Sequence, residues 1–270
     1  MTGTYRLAGQ TIAVTSLHPD VQALCRDYRC DSPECFAVKT TQADIAFERE
    51  KAAREAAVEG HSPAAFSDGY LETLAVYRKI AEKMPDYDTV LFHGSCVAVD
   101  GAGYLFTAKS GTGKSTHTRL WRELLGSRAV MVNDDKPLIH VPPVILSEAE
   151  RSRRISSETV GFFTYAQNDT ERRPLAYGTP WDGKHRLSAN IAVPLKAICI
   201  LERAAENHIE PIPAREAYPT LLQQVYRPAD PAAMAKTLAL LDRLAASVKL
   251  YRLGCNMQPE AARLSYETMR

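Results

Sequence analysis

The stretch Ser110-Gly111-Thr112-Gly113-Lys114-Ser115-Thr116 is where this chain most clearly carries chemistry. With Ala108-Lys109 before it, the pattern is that of a phosphate-binding (Walker A) loop in which alanine stands at the first glycine position. Gly111 and Gly113 let backbone N–H groups converge on phosphate oxygens without interference from a Cβ. Lys114 would bridge the outer phosphates, and the Ser115 hydroxyl would coordinate Mg²⁺. Ala108 is tolerable there if its backbone φ is negative.

Two further groups fall in register with that loop. Asp134 and Asp135 come twenty residues after Lys114, at the end of the apolar run Ala129-Val130-Met131-Val132. Acidic residues at a buried strand end beside a phosphate loop suit a metal or general-base role, and a nearby Mg²⁺ would relieve the repulsion between them. His93 precedes Gly94 at the end of a short apolar strand that leads toward the loop. A third group, Lys184, His185 and Arg186, follows the turn-rich stretch Gly178-Thr179-Pro180-Trp181-Asp182-Gly183. These cations suit stabilisation of a transferring phosphoryl group, and equally a solvated basic turn.

The flanking pattern supplies the elements that must position these groups. Tyr104–Thr107 reads as a strand running directly into the loop, and Leu120, Trp121, Leu124 and Leu125 mark a helix running out of it to a stop at Gly126. Cys96–Val99 and Tyr104–Thr107 flank Asp100-Gly101, a hairpin signal that makes the loop's strand antiparallel to its predecessor. Upstream, Tyr5–Ser16 and Phe36–Phe47 read as strand, with a short helix over Pro19–Tyr28 and a loop over Gly60–Ala65. Ser67 caps a helix from Asp68 to about Lys83, with Phe66 and Leu71 spaced as a hydrophobic staple and Leu71, Leu74, Tyr77, Ile80 and Met84 forming its core stripe. Downstream come strands at Ala129–Val132, Pro137–Val141, Leu175–Gly178, Lys196–Glu202 and Val248–Leu253. A helix opens at Asp230-Pro231 and another closes the chain over Pro259–Met269.

The order His93-Gly94, apolar hairpin, Ser110-to-Ser115 loop, Asn133-Asp134-Asp135 resembles the HPr kinase/phosphorylase family, within the group of phosphate-loop kinases that includes phosphoenolpyruvate carboxykinase. The resemblance is specific over about 90–139. It implies an ATP- and Mg²⁺-dependent kinase transferring a γ-phosphoryl group to a hydroxyl, with a serine of a peptide, protein or small molecule as acceptor. By that resemblance Asp134 is the general base, Asp135 a metal or phosphate neighbour, and His93 lies near the transferring group. Thr116 stands where those kinases carry Glu, and Ala108 where they carry Gly; their later glycine-rich signature has no counterpart here. A nucleotide-binding regulator would bind ATP without an acceptor, and a carboxykinase-like enzyme would need oxaloacetate-binding arginines.

The implied fold is α/β: a mixed, strongly bent sheet with the phosphate loop near its centre and helices outside. The chain reads as a single kinase-like domain, with an N-terminal α/β lobe over 1–86, a core over 87–270, and an exposed insertion over 147–173 that forms a long hairpin excursion. The wording of 144–150 and 161–170 resembles translated bacterial repeat elements, which implies a late insertion. With 33 basic against 32 acidic residues, the net charge of +1 leaves no basic excess for a nucleic-acid partner. No apolar run reaches a membrane span, and the six cysteines match no zinc or disulfide framework. The expectation is a cytoplasmic protein with a small-molecule, peptide or protein partner, free to form a homo-oligomer.

Overall fold

The computed structural model describes residues 1–58, 60, 62, 65–143, 173–183 and 186–270. The insertion expected over 147–173 therefore lies, apart from Arg173, outside the described residues, as do Lys184 and His185.

The chain opens with a small sheet of three strands, β1 (Thr2–Leu7), β2 (Gln10–Thr15) and β3 (Phe36–Lys39). β1 and β2 are antiparallel and β3 is parallel to β2. The single strand expected over Tyr5–Ser16 is instead most of a hairpin: the end of β1, a turn and all of β2. Ala8 (φ 46°) and Gly9 (φ 79°) turn the chain in the left-handed region, and Ala8 hides that turn because alanine carries no turn signal. After α1 (Asp20–Leu24), the strand expected over Phe36–Phe47 stops at Lys39, and α2 (Gln42–Val58) follows. Asp44 caps the start of this helix: its carboxylate accepts from the Thr41 N–H (2.9 Å) and hydroxyl (2.8 Å). Of its apolar residues only Ile45 is buried, so it shows no apolar stripe. It docks by charge instead, Arg78 reaching Glu48 (2.5 Å) and Asp44 (3.3 Å), and Lys79 reaching Asp44 (3.0 Å).

Helix α3 (Asp68–Lys83) follows the expected bounds, and the Ser67 hydroxyl accepts from the Tyr70 N–H at 3.2 Å. Phe66 lies on the Tyr70 ring, one residue short of Leu71 in the staple pattern. Glu72, fully buried in α3, accepts from the Leu17 N–H (2.6 Å), the His18 N–H (2.7 Å) and the Thr40 hydroxyl. Those bonds tie α3 to the small sheet.

The large sheet contains β4 (Thr89–Leu91), β5 (Ser95–Val99), β6 (Ala102–Thr107), β7 (Ala129–Asn133), β8 (Leu138–His140), β9 (Leu175–Tyr177), β10 (Ala192–Arg203), β11 (His208–Pro211) and β12 (Lys249–Cys255). Its order is β4-β8-β9-β10-β6-β5-β7, with β12 also on β10 and β11 on β12. β5 and β6 form the expected antiparallel hairpin around Asp100 and Gly101, both at positive φ. β6 is parallel to β10, which is parallel to β12, whereas the start of β10 pairs antiparallel with β9. The sheet is therefore mixed, and β6 sits inside it. β8 and β9 pair antiparallel.

Alternation along β5, β6 and β10 sends apolar side chains to both faces, as expected for strands covered on both sides. One face, with Cys96, Leu105, Ile198 and Ile200, packs against α5 (Ala214–Gln224) and α6 (Pro231–Ser247). The other, with Val97, Phe106 and Cys199, packs against Leu120 and Trp121 of α4 (Lys114–Leu125) and Ala262 and Met269 of α7 (Pro259–Met269). A third cluster joins the small sheet and α3 to Leu91, Leu138 and Trp181 of the large unit. The architecture is mixed α/β with seven α-helices among the described residues. No helix among them is long and apolar enough to cross a membrane.

Candidate functional site

β6 ends at Thr107, and the next residue to form helix is Lys114. Between them, Gly111 has φ 73° and Gly113 φ 118°, backbone that side-chain-bearing residues rarely adopt. Ala108 is not among the residues at positive φ and packs fully buried in the core beside Trp121, which explains how alanine replaces glycine there. Lys114 folds back over the loop, and its ammonium donates to the Ala108 carbonyl at 3.2 Å. Burial lowers the Lys114 pKa, and Asp135 opposes that shift. Ser115 is exposed at the first turn of α4, Thr116 is half-buried, and Ser110 and Gly111 are exposed. Arg203, the last residue of β10, donates to the Gly111 carbonyl at 2.6 Å.

The helix behind the loop is anchored from the far end of the chain. His117 Nε2 lies 3.0 Å from the Ser265 hydroxyl of α7, and Trp121 Nε1 donates to the same oxygen at 2.8 Å. Burial pushes His117 down to about 4, so its ring is neutral at ordinary pH. Ser95 Oγ bonds Thr118 Oγ1 at 3.0 Å, tying β5 to the same helix.

At the end of β7, Asn133 organises two loops at once. Its Oδ1 accepts from the N–H groups of Asp135 (2.9 Å) and Lys136 (2.6 Å). Its Nδ2 donates to Thr179 Oγ1 (2.9 Å), Thr179 O (3.2 Å) and Trp181 O (3.3 Å). Helix α3 braces the second loop: Tyr77 stacks on Trp181 with centroids 4.2 Å apart, and Trp181 Nε1 donates to the Thr73 carbonyl at 2.8 Å. Tyr77 OH donates to the Lys136 carbonyl at 2.6 Å. The Tyr77 side chain, read from spacing as core, therefore also bridges the two loops.

That bracing presses Gly183 onto Asp134. Asp134 Oδ1 accepts from the Gly183 N–H, and a Cβ at Gly183 would lie 2.6 Å from Asp134 Oδ2. Asp134 is only 3% exposed, and its Oδ2 is buried with no hydrogen-bond partner. Asp182 is its neighbour. Burial raises the Asp182 carboxyl above the usual range; the Ser188 N–H (3.4 Å) opposes this, the Asp134 charge adds to it, and Arg186 opposes it. Arg186 Nη1 lies 3.6 Å from Asp182 Oδ1, and its own backbone is left-handed at φ 51°.

Asp135 differs from Asp134 in having a side-chain nitrogen near each oxygen: His93 Nε2 at 3.4 Å and Lys136 Nζ at 3.5 Å. Burial would raise its carboxyl, but His93 and Lys136 together hold it below the usual carboxylate range. His93 is itself fixed, Nδ1 lying 2.9 Å from Gln224 Oε1 while its backbone N–H donates to the Gln224 carbonyl at 2.8 Å. A cleft of about 410 Å³ opens on this pair, lined by His93, Ser110, Asp135 and Lys136 on one side and by Lys51 and Glu55 of α2 on the other.

His93, Lys114 and Asp135 thus share one neighbourhood with Ser110. Asp134 lies beside Asp182 and Gly183, and Arg186 faces Asp182. The spacing of motifs did not reveal Asn133 as an organiser, nor Gln224, Asp182, Thr179 or Arg203. Arg203 alone carried a readable sign, as a cation closing an apolar strand. The donors present are hydroxyl and carboxylate oxygens, which suit Mg²⁺, an ion that takes one or two protein ligands together with substrate phosphates.

No family model and no curated protein matches the chain. Among solved structures, it is similar to the Hpr(Ser) kinase/phosphatase from Coxiella burnetii, at 12% identity over 66% of this chain and 95% of that chain, with a TM-score of 0.28.

Proposed function

We propose that this protein is an ATP- and Mg²⁺-dependent kinase that transfers the γ-phosphoryl group to a hydroxyl, with serine, free or in a peptide or small protein, as the acceptor class. One observation carries the reading. A strand–loop–helix junction with two left-handed glycines and an inward-folded lysine shares its sheet with a buried carboxylate oxygen that has no partner.

In this reading the N–H groups of Ser110 to Thr116 and the start of α4 cradle the phosphates. Lys114 leaves the Ala108 carbonyl for the outer phosphate oxygens, a stronger charge-assisted contact. Ser115 and Asp135 would hold Mg²⁺, which neutralises developing phosphate charge when bound. Asp134 is the base because its Oδ2 has a free lone pair, whereas the oxygens of Asp135 are engaged by His93 and Lys136. Access to Asp134 requires the Gly183 turn to move, and Arg186 moves with it toward the phosphoryl group. His93, held by Gln224, orients Asp135. The cleft beside His93 and Ser110 receives the acceptor.

Labelled ATP with Mg²⁺, offered to free serine, serine peptides, HPr and oxaloacetate, tests this directly. Transfer to a hydroxyl acceptor is expected, and Lys114→Ala should abolish it together with tight ATP binding. Asp134→Asn should keep ATP binding while transfer falls about 10²–10⁴-fold. Tight ATP binding with no labelled acceptor would sink the kinase reading in favour of a nucleotide-binding regulator. Label recovered from oxaloacetate would replace it with a carboxykinase.

A further inference from the structure

We propose that Arg203 is a second phosphate-binding cation of the loop, held on the Gly111 carbonyl when no anion is bound and turning onto the terminal phosphates of a nucleoside triphosphate. The proposal rests on reading loop 108–113 as the nucleotide site.

Strand pairing puts Arg203 where it is needed. β10 runs parallel to β6 with Ile200 opposite Thr107. Three residues further on, Arg203 ends β10 while the chain after Thr107 has already left β6 and reached Ser110 of the loop, so both lie beyond the same edge of the sheet. In parallel sheets that carboxyl-terminal edge is where ligands bind. The guanidinium crosses from β10 to the tip of the loop and donates to Gly111 O at 2.6 Å.

The two cations that touch the loop backbone share one habit. Lys114 donates to the Ala108 carbonyl and Arg203 to the Gly111 carbonyl. Both acceptors are neutral, and both contacts are weaker than a bond from the same cation to an anionic oxygen. An incoming phosphate therefore outcompetes each carbonyl. Arg203 spends one N–H of its fork on Gly111, and its remaining donors have no protein partner among the described residues. A fork with free donors matches phosphate bidentately, and Arg203 is exposed, so little packing resists its turning. Arg186, by contrast, already faces Asp182.

Calorimetric titration of ATP and ADP into the wild type, Arg203→Gln and Arg203→Lys tests the assignment. Glutamine keeps an N–H donor without the charge; lysine keeps the charge without the fork. ATP affinity should fall about tenfold in Arg203→Gln and less in Arg203→Lys, with a smaller loss for ADP. The melting temperature of the ligand-free variants should match the wild type. A wild type that binds ATP with Arg203→Gln equal to it overturns the role of Arg203 alone. Equal losses for ATP and ADP with a lowered ligand-free melting temperature would make Arg203 a structural clamp, which also overturns it. A wild type that binds neither nucleotide overturns the reading of the loop itself.

Discussion

Two loops of the candidate site are built in opposite ways. Loop 108–113 takes its shape from its own residues: two glycines at positive φ, a strand before it and a helix after it. The loop over Thr179–Gly183 has almost no such internal means. It is held by Asn133 of β7, by Tyr77 and Thr73 of α3, and by Asp134. The first loop presents backbone donors and tolerates exposure. The second buries a carboxylate and depends on distant partners. A loop that offers main-chain groups can be shaped locally, whereas tuning a carboxylate requires walls brought from elsewhere in the chain.

Four substitutions would break or sharpen that contrast. Asn133→Ala strikes the second loop hardest, leaving the Asp135 and Lys136 N–H groups and the Thr179 carbonyl without their partner. A loss of about 3–5 kcal/mol in denaturant unfolding is expected, and a loss under about 1 kcal/mol would show that the two loops do not depend on it. His117 tests the anchoring of the first loop. Its neutral form is favoured in the fold, so the unfolded chain takes up the proton first as pH falls. Stability should drop by up to about 3 kcal/mol between pH 6.5 and 4 in chelator-treated protein, and His117→Gln should stay flat over that window. Gly113→Ala forces a Cβ onto backbone at φ 118° and should cost about 2 kcal/mol and ATP affinity together. Smallest of all, Ala108→Gly should lower stability by about 1 kcal/mol without improving ATP binding, because that position needs no left-handed backbone. Tighter binding in Ala108→Gly would show that the loop is strained there.

The same contrast decides what could be read from residues alone. The β5–β6 hairpin, the capped helix at Ser67, the helix opening at Asp230-Pro231 and the loop at Ser110–Ser115 each signal through neighbours a few positions apart, and all four elements lie where local pattern places them. Ala8 concealed a turn because its type favours none. Helix α2 was hidden because Glu48 and Asp44, not an apolar stripe, dock it onto Arg78 and Lys79. At the site, Lys114, Asp134 and Asp135 stood out by type and spacing. Gln224 behind His93, Asn133 between the loops and Asp182 beside Asp134 did not, since each acts across tens of residues of sequence.

Short-range chemistry in the chain was enough to specify a glycine-bearing loop between an antiparallel hairpin and a helix, with two acidic residues at the next strand end. Glycine φ preferences, caps and alternation act over one to four residues and leave their mark in any window that contains them. Folding alone made Asp134 and Asp135 unlike. They are adjacent and identical in type, yet one is pressed under Gly183 with a bare oxygen and the other faces His93 and Lys136. A carboxylate's behaviour is set by the dielectric and charges around it, and those arrive through space from α3, α5 and the 179–183 loop.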